Sequence, residues 1–290
     1  MEPSEVRRAS VAARETAASL GLRVSDPIVV HNSDRIALRL LPCDVLVRIA
    51  PASWRTGMQF EAAVAERLAG IGSPVGELDP RVEHDVHLRD DFAMTFWTYY
   101  EAVDHKPLRE HLGMSTSIEP VDYANALAQL HADLRRIDLT APHVMERVTG
   151  WLQGVEDPEM TPELPDRDRD LLSGTLRNVG AAIRSEDSAD QLLHGEPHPG
   201  NVLDTEQGPI WIDVGTLQRG PIEYDLAYVP ADVVQHYPAA NLSLVQRFRV
   251  LMWAGIASMR WGRHDQYPRR DYWRSESLNQ LRTELESTPG

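Results

Sequence analysis

Three oxygen-bearing side chains, Glu196, Asn201 and Asp213, stand at the spacing that phosphoryl transfer uses. In such sites a loop carboxylate accepts the proton of the attacking hydroxyl. An asparagine five residues on holds one metal ion, and a separate aspartate on the next strand holds another. The stretch His194-Gly195-Glu196-Pro197-His198-Pro199-Gly200-Asn201, followed by Trp211-Ile212-Asp213, supplies these groups in that order. Pro197 drives Glu196 away from helical backbone angles and Pro199-Gly200 favours a turn, so Glu196 is predicted to sit on a constrained loop. Gly208-Pro209 leads into a short strand, Ile210 to Val214, whose end is predicted to present Asp213 beside Asn201. Two hard oxygen donors, completed by phosphate oxygens and water, suit Mg²⁺. Taken singly, Asn201 and Asp213 are equally residues that close turns; the spacing of the whole set carries the chemical reading.

The elements that must hold these groups follow from hydrophobic period. Residues 5 to 20 read as a helix ending at Gly21, with Val6, Ala13, Ala17 and Leu20 among polar neighbours. The period then changes to two. Ile36, Leu38 and Leu40 alternate with Arg35, Ala37 and Arg39, and Val45, Val47 and Ile49 alternate with Leu46 and Arg48, which predicts a hairpin. Phe60, Val64, Leu68 and Ile71 recur at helical spacing, and a further strand is predicted from Phe92 to Tyr99. Beyond about residue 101 the pattern is helical, over Tyr123 to Ile137, Asp166 to Ile183 and Leu242 to Trp261. Gly154 to Pro165 reads as a loop, and the tail after Glu284 as frayed.

The segment from Leu193 to Tyr228 resembles the catalytic core of the aminoglycoside phosphotransferase (phosphotransferase enzyme) family, relatives of the eukaryotic-type protein kinases. The family's usual His-Gly-Asp is His194-Gly195-Glu196 here, which sets the carboxylate one C–C bond further out. The resemblance implies an α+β, two-lobed, protein-kinase-like fold. A small N-terminal antiparallel-sheet lobe, residues 1–100, would bind nucleotide, and a larger helical lobe, residues 101–290, would carry catalysis and substrate, with a nucleotide cleft between the lobes. ATP and Mg²⁺ are the implied cofactors. Where the family has a phosphate-gripping lysine paired with a helix glutamate, this chain offers Arg48 and Glu61; without the downstream motif, a surface salt bridge would be the better reading of that pair. Trp97 and Tyr99 match the interlobe hinge by order, where backbone would meet the adenine edge, or their rings simply pack. His194 and Asp225 are implied to be structural, Asp225 anchoring the loop from a helix started by Pro221.

Neither a Gly-Lys-Ser/Thr phosphate loop nor a Gly-x-Gly-x-x-Gly fingerprint is present, which argues against P-loop and Rossmann enzymes. In their place His31-Asn32-Ser33-Asp34 offers backbone amides and the Ser33 hydroxyl to cap phosphates, or forms an ordinary hairpin turn. His198 has no second histidine at metal-ligand spacing, so zinc is rejected.

Composition narrows the partners. With 29 basic and 44 acidic residues among 290, the net charge of -15 disfavours nucleic acid and anionic membranes, and favours either a cationic substrate or mere solubility. The single Cys43 excludes a disulfide framework, and no apolar run approaches the length of a membrane span, so a cytoplasmic protein is expected. Near the C-terminus Asp232, Asp265, Asp271 and Glu276 stand among Trp253, Trp261, Tyr267, Tyr272 and Trp273, a composition suited to an amino sugar. Arg260, Arg263, Arg269, Arg270 and Arg274 are interleaved with them and would neutralise the same carboxylates. The expected activity is thus transfer of a γ-phosphoryl group to a hydroxyl of an aminoglycoside or amino-sugar-like substrate. Alternatives are another small metabolite alcohol as acceptor, or a catalytically weak pseudokinase that binds nucleotide as a regulatory module.

Overall fold

A computed structural model describes residues 2–33, 35–103, 116–265, 267 and 269–287; Asp34, from the turn considered above, lies outside them. The chain divides into two compact units, Met1–Arg109 with Asn201–Thr216, and Glu110–Gly200 with Leu217–Gly290.

The first unit opens with α1 (Pro3–Ser19), followed by β1 (Val24–Asn32), β2 (Ile36–Pro42), β3 (Val45–Pro51), α2 (Arg55–Ala69), β4 (His87–Arg89) and β5 (Phe92–Thr98). The five strands form one antiparallel sheet in the order β1-β2-β3-β5-β4. Period-two alternation decides its faces. Ile36, Leu38, Leu40, Val45, Val47 and Ile49 are buried in one core with Ala9, Ala12, Ala13 and Ala17, the small-residue stripe of α1. Arg48 alternates with Val47 and Ile49 and so points to the other face of the sheet, where α2 contributes Glu61 from its buried stripe of Met58, Ala62, Ala65 and Leu68.

The second unit begins with α3 (Pro120–Leu134), α4 (Val144–Glu156), α5 (Asp166–Arg184) and β6 (Gln191–Leu193). The hairpin β7 (Val202–Thr205) with β8 (Gly208–Trp211) belongs to the first unit, extended by Val75 pairing alongside Trp211. The chain then returns to the second unit with β9 (Gln218–Gly220), which pairs antiparallel with β6, and with α6 (Ile222–Leu226), α7 (Ala231–His236), α8 (Leu242–Arg260) and α9 (Arg270–Ser287). Trp151 of α4, Leu172 and Leu176 of α5, Phe248 and Leu251 of α8 and Leu278 and Leu281 of α9 share its core. Each such buried side chain contributes about 1.5–3 kcal/mol of hydrophobic stabilisation before entropy is counted.

Two local expectations change. The strand expected over Ile210 to Val214 ends at Trp211, because Asp213 takes a left-handed backbone angle, φ 61°, that no strand accommodates. The loop expected from Gly154 begins only after Glu156, since α4 runs through Gly150 and Gly154. Among the described residues no helix is long and apolar enough to cross a membrane.

Candidate active site

Two sets of polar side chains stand out, one in each unit. In the first, Arg48 is held in mid-sheet on β3, opposite Ala37 of β2 and Thr95 of β5. Its Nη1 donates to Glu61 Oε1, and its Nη2 donates to Asp213 Oδ1 at 3.0 Å. Arg35, one residue before β2, makes the same two connections: Nη1 to Glu61 Oε2 at 2.7 Å and Nη2 to Asp213 Oδ1 at 2.5 Å. Each guanidinium therefore bridges the same pair of carboxylates. Glu61 is almost wholly buried, at 2% side-chain exposure, whereas Asp213 retains 25%. Burial alone would lower the pKa of Arg48; the charges of Glu61 and Asp213 outweigh it, so the net direction is up and the guanidinium stays charged. Gly215 lets this segment approach α2, because a Cβ there would lie 3.1 Å from Glu61 Cβ.

Asn201 and Asp213 flank the same end of the β7–β8 ladder, whose terminal pair is Val202 with Trp211. The Ile212 N–H donates to the Asn201 C=O at 3.0 Å, tying the two segments together. Ser33 lies in the β1–β2 turn, where its N–H donates to the Arg35 C=O at 3.0 Å and its hydroxyl meets His31 Nε2 at 2.9 Å. The turn that holds Ser33 also delivers Arg35. Trp97 is buried on β5 with Nε1 donating to Thr95 Oγ1 at 2.8 Å, and Arg48 Cζ lies 6.0 Å from its ring. Tyr99 stacks instead against Arg39, at 3.9 Å.

In the second unit Glu196 lies on the loop after β6. Asp225, fully buried on α6, anchors that loop by accepting the N–H groups of His194 and Gly195, each at 2.8 Å. Gly195 has φ 92°, a left-handed angle that costs glycine little and turns both amides onto one carboxylate. His131 Nε2 lies 2.9 Å from Asp225 Oδ2, and its Nδ1 meets the Tyr237 hydroxyl at 2.7 Å. Burial, helped by the charge of Asp225, pushes the Tyr237 phenol up to about 12. The buried Tyr123 hydroxyl donates to the Pro197 C=O at 2.7 Å, fixing the far side of the loop. His198 accepts the Gly200 N–H at Nδ1, 3.0 Å away.

The Glu196 carboxylate is met by Arg147 of α4, whose Nη2 donates to Oε1. Arg147 also reaches the Tyr224 hydroxyl at 3.3 Å and lies over the Trp151 ring at 5.4 Å. Burial would lower its pKa, but Tyr224 and Glu196 outweigh that and the net direction is up. Sequence reasoning misses Arg147, which stands far from Glu196 along the chain, on a helix whose apolar stripe two glycines interrupt. It misses Arg35 although the alternation Arg35, Ala37, Arg39 puts it on the face opposite Ile36.

Of the carboxylates expected to attract a cation, Asp265 is closely paired and Asp271 only loosely. Arg260 Nη1 donates to Asp265 Oδ1 at 2.7 Å, and Arg260 and Arg274 also lie over the rings of Tyr267 and Trp261. Arg274 and Arg270 stand 3.8 and 4.0 Å from Asp271, and Glu276 accepts from Gln280 at 2.8 Å.

Asp213 and Asn201 offer the first unit one carboxylate and one amide, oxygen donors of the hard type. Among the described residues no group of three or more His, Cys, Asp or Glu side chains could hold a metal. So small a set would suit a divalent ion that takes most of its oxygens from phosphate and water, and the Arg35 and Arg48 guanidiniums already hold Asp213 Oδ1.

The sequence profile of the phosphotransferase enzyme family matches residues 30–261. No curated protein matches the chain significantly. Among solved structures, an amicoumacin kinase in complex with AMP-PNP, Ca²⁺ and amicoumacin superposes with TM-score 0.69 at 11% identity, covering 99% of this chain and 97% of that one. The GDP and kanamycin complex of APH(2″)-IIIa gives 0.66 at 14%, covering 97% and 99%. A choline/ethanolamine kinase family protein from Mesorhizobium loti gives 0.67 at 15%, covering 95% of each chain. The fold is thus α+β and protein-kinase-like, with the five-stranded antiparallel sheet in the N-terminal part and a helical C-terminal part.

Proposed function

The chain belongs to the phosphotransferase enzyme family, and we propose that it is an ATP-dependent small-molecule kinase that phosphorylates a hydroxyl group. The observation that carries this reading is the meeting of Arg48, Glu61 and Asp213, three residues from separate stretches of chain, in one ion-paired array. In this reading residues 1–100 serve nucleotide binding and residues 101–290 serve catalysis and the acceptor, with Ser33, Trp97 and Tyr99 assigned to the nucleotide. Asn201 and Asp213 would hold Mg²⁺. When bound, Mg²⁺ and ATP supply charge neutralisation at the phosphates and the phosphoryl group itself. Arg48 holds phosphate oxygens with its planar fork while Glu61 fixes its direction. Glu196 accepts or orients the proton of the acceptor hydroxyl, and Arg147 fixes where that carboxylate stands.

Aminoglycosides and amino sugars are the first acceptors to test, supported by family membership and by the kanamycin complex among the similar structures. The arginine pairing of Asp265 weighs toward a less highly charged alcohol. The test is incubation with Mg-ATP and members of each class, followed by mass spectrometry. A phosphomonoester from one class is expected. Nucleotide binding with no phosphomonoester from any class, in the wild type and in Glu196→Asp alike, would support a nucleotide-binding regulatory module instead.

A further inference from the structure

Arg35 is the member of the array that the pairing of Arg48 with Glu61 does not require. Arg48 alone gives Glu61 a counter-charge, and it is positioned for that by strands on both sides. With Arg35 the array holds two guanidiniums against two carboxylates and is formally neutral. A divalent cation arriving alone at Asp213 would meet two positive groups already hydrogen-bonded to the same oxygen, at 2.5 and 3.0 Å. Like charges at such separations repel strongly in a partly buried site. A cation arriving with a polyphosphate meets a different balance, because the phosphate oxygens can take over the guanidiniums that leave Asp213.

The two arginines differ in their freedom to make that exchange. Arg48 sits in the middle of the sheet, whereas Arg35 lies in the hairpin turn just outside β2, with its guanidinium 6.0 Å from the ring of the exposed Trp54. Resting on the reading of this array as a nucleotide and metal site, we propose that Arg35 is a second polyphosphate-binding arginine. It holds Asp213 while nucleotide is absent and turns to phosphate oxygens when nucleotide arrives, so that metal and nucleotide load together.

Two binding measurements on the full chain test this: Mn²⁺ titration of the nucleotide-free protein followed by electron paramagnetic resonance, and calorimetric titration with the Mg²⁺ complex of a non-hydrolysable ATP analogue. In Arg35→Gln, Mn²⁺ binding without nucleotide is expected to tighten by about tenfold. Affinity for the Mg-nucleotide is expected to fall by about tenfold, the effect of one charge-assisted hydrogen bond. Adding Asp213→Asn should abolish the Mn²⁺ gain. Arg35→Lys, which keeps the charge without the fork, should still exclude Mn²⁺ but bind the Mg-nucleotide more weakly than wild type, and it decides the matter if the glutamine variant does not fold. Wild-type affinities for both ligands in Arg35→Gln, or in Arg35→Lys where that variant decides, would overturn the inference alone. A wild-type protein that binds no Mg-nucleotide would overturn the nucleotide reading and this inference with it.

Discussion

Glutamate in place of aspartate at position 196 carries its carboxylate one C–C bond outward, and Arg147 is where that reach ends. The guanidinium is itself fixed by Tyr224 and by the face of Trp151, so the longer side chain has a definite seat. Glu196→Asp should therefore lower turnover, by about 10- to 100-fold, since roughly 1 Å of misplacement costs on that order. It should also lower the melting temperature, because Arg147 stays three-quarters buried with its carboxylate partner withdrawn, a loss of about 1–3 kcal/mol. Steady-state kinetics and a thermal melt read both, and an unchanged or raised turnover would show that the seat is not a catalytic one. The loop that bears Glu196 was legible in the sequence because loop geometry is local and written in Pro197, Pro199 and Gly200. Arg147 was not, because a contact across 49 positions leaves no periodic trace.

At the scale of elements, the loop bearing Glu196 is held by one buried carboxylate and the groups stacked behind it. Tyr237 is the outermost member of that chain, with a phenol raised from 10.0 to about 12. The folded state thus holds this proton more tightly than the unfolded state does. The stabilisation is fully present below pH 10 and is lost as pH rises through about 12, an effect on the order of 2 kcal/mol. Urea unfolding of wild type and Tyr237→Phe across that window should show the difference between them shrinking as pH rises; a difference independent of pH would exclude the linkage. Elements with a clean period were readable: the β2–β3 hairpin, α2, α5 and α8 all fall within a few residues of expectation. The helix α4 escaped because Gly150 and Gly154 punctuate its apolar stripe, and α9 because Arg274 and Ser277 occupy buried positions that a hydrophobic pattern leaves blank.

For the whole molecule, the net charge of -15 says less about ligands than where the charges go. Arginines take up carboxylates in both units, at Glu61 and Asp213 in one and at Glu196, Asp265 and Glu163 in the other. A strongly acidic chain can therefore present sites that are close to neutral, which composition alone does not reveal. Family and fold were legible from a short spaced motif followed by the change from strand to helix periodicity. The acceptor was not, because composition does not say which carboxylates keep their charge after folding. We propose that the array around Asp213 serves phosphoryl transfer from Mg-ATP to a hydroxyl. The most direct test is ADP release from Mg-ATP across the acceptor classes, in wild type and in Asp213→Ala. ADP release is expected to require an acceptor of one class and to fall by at least about 100-fold in the variant; full turnover by Asp213→Ala would contradict this role.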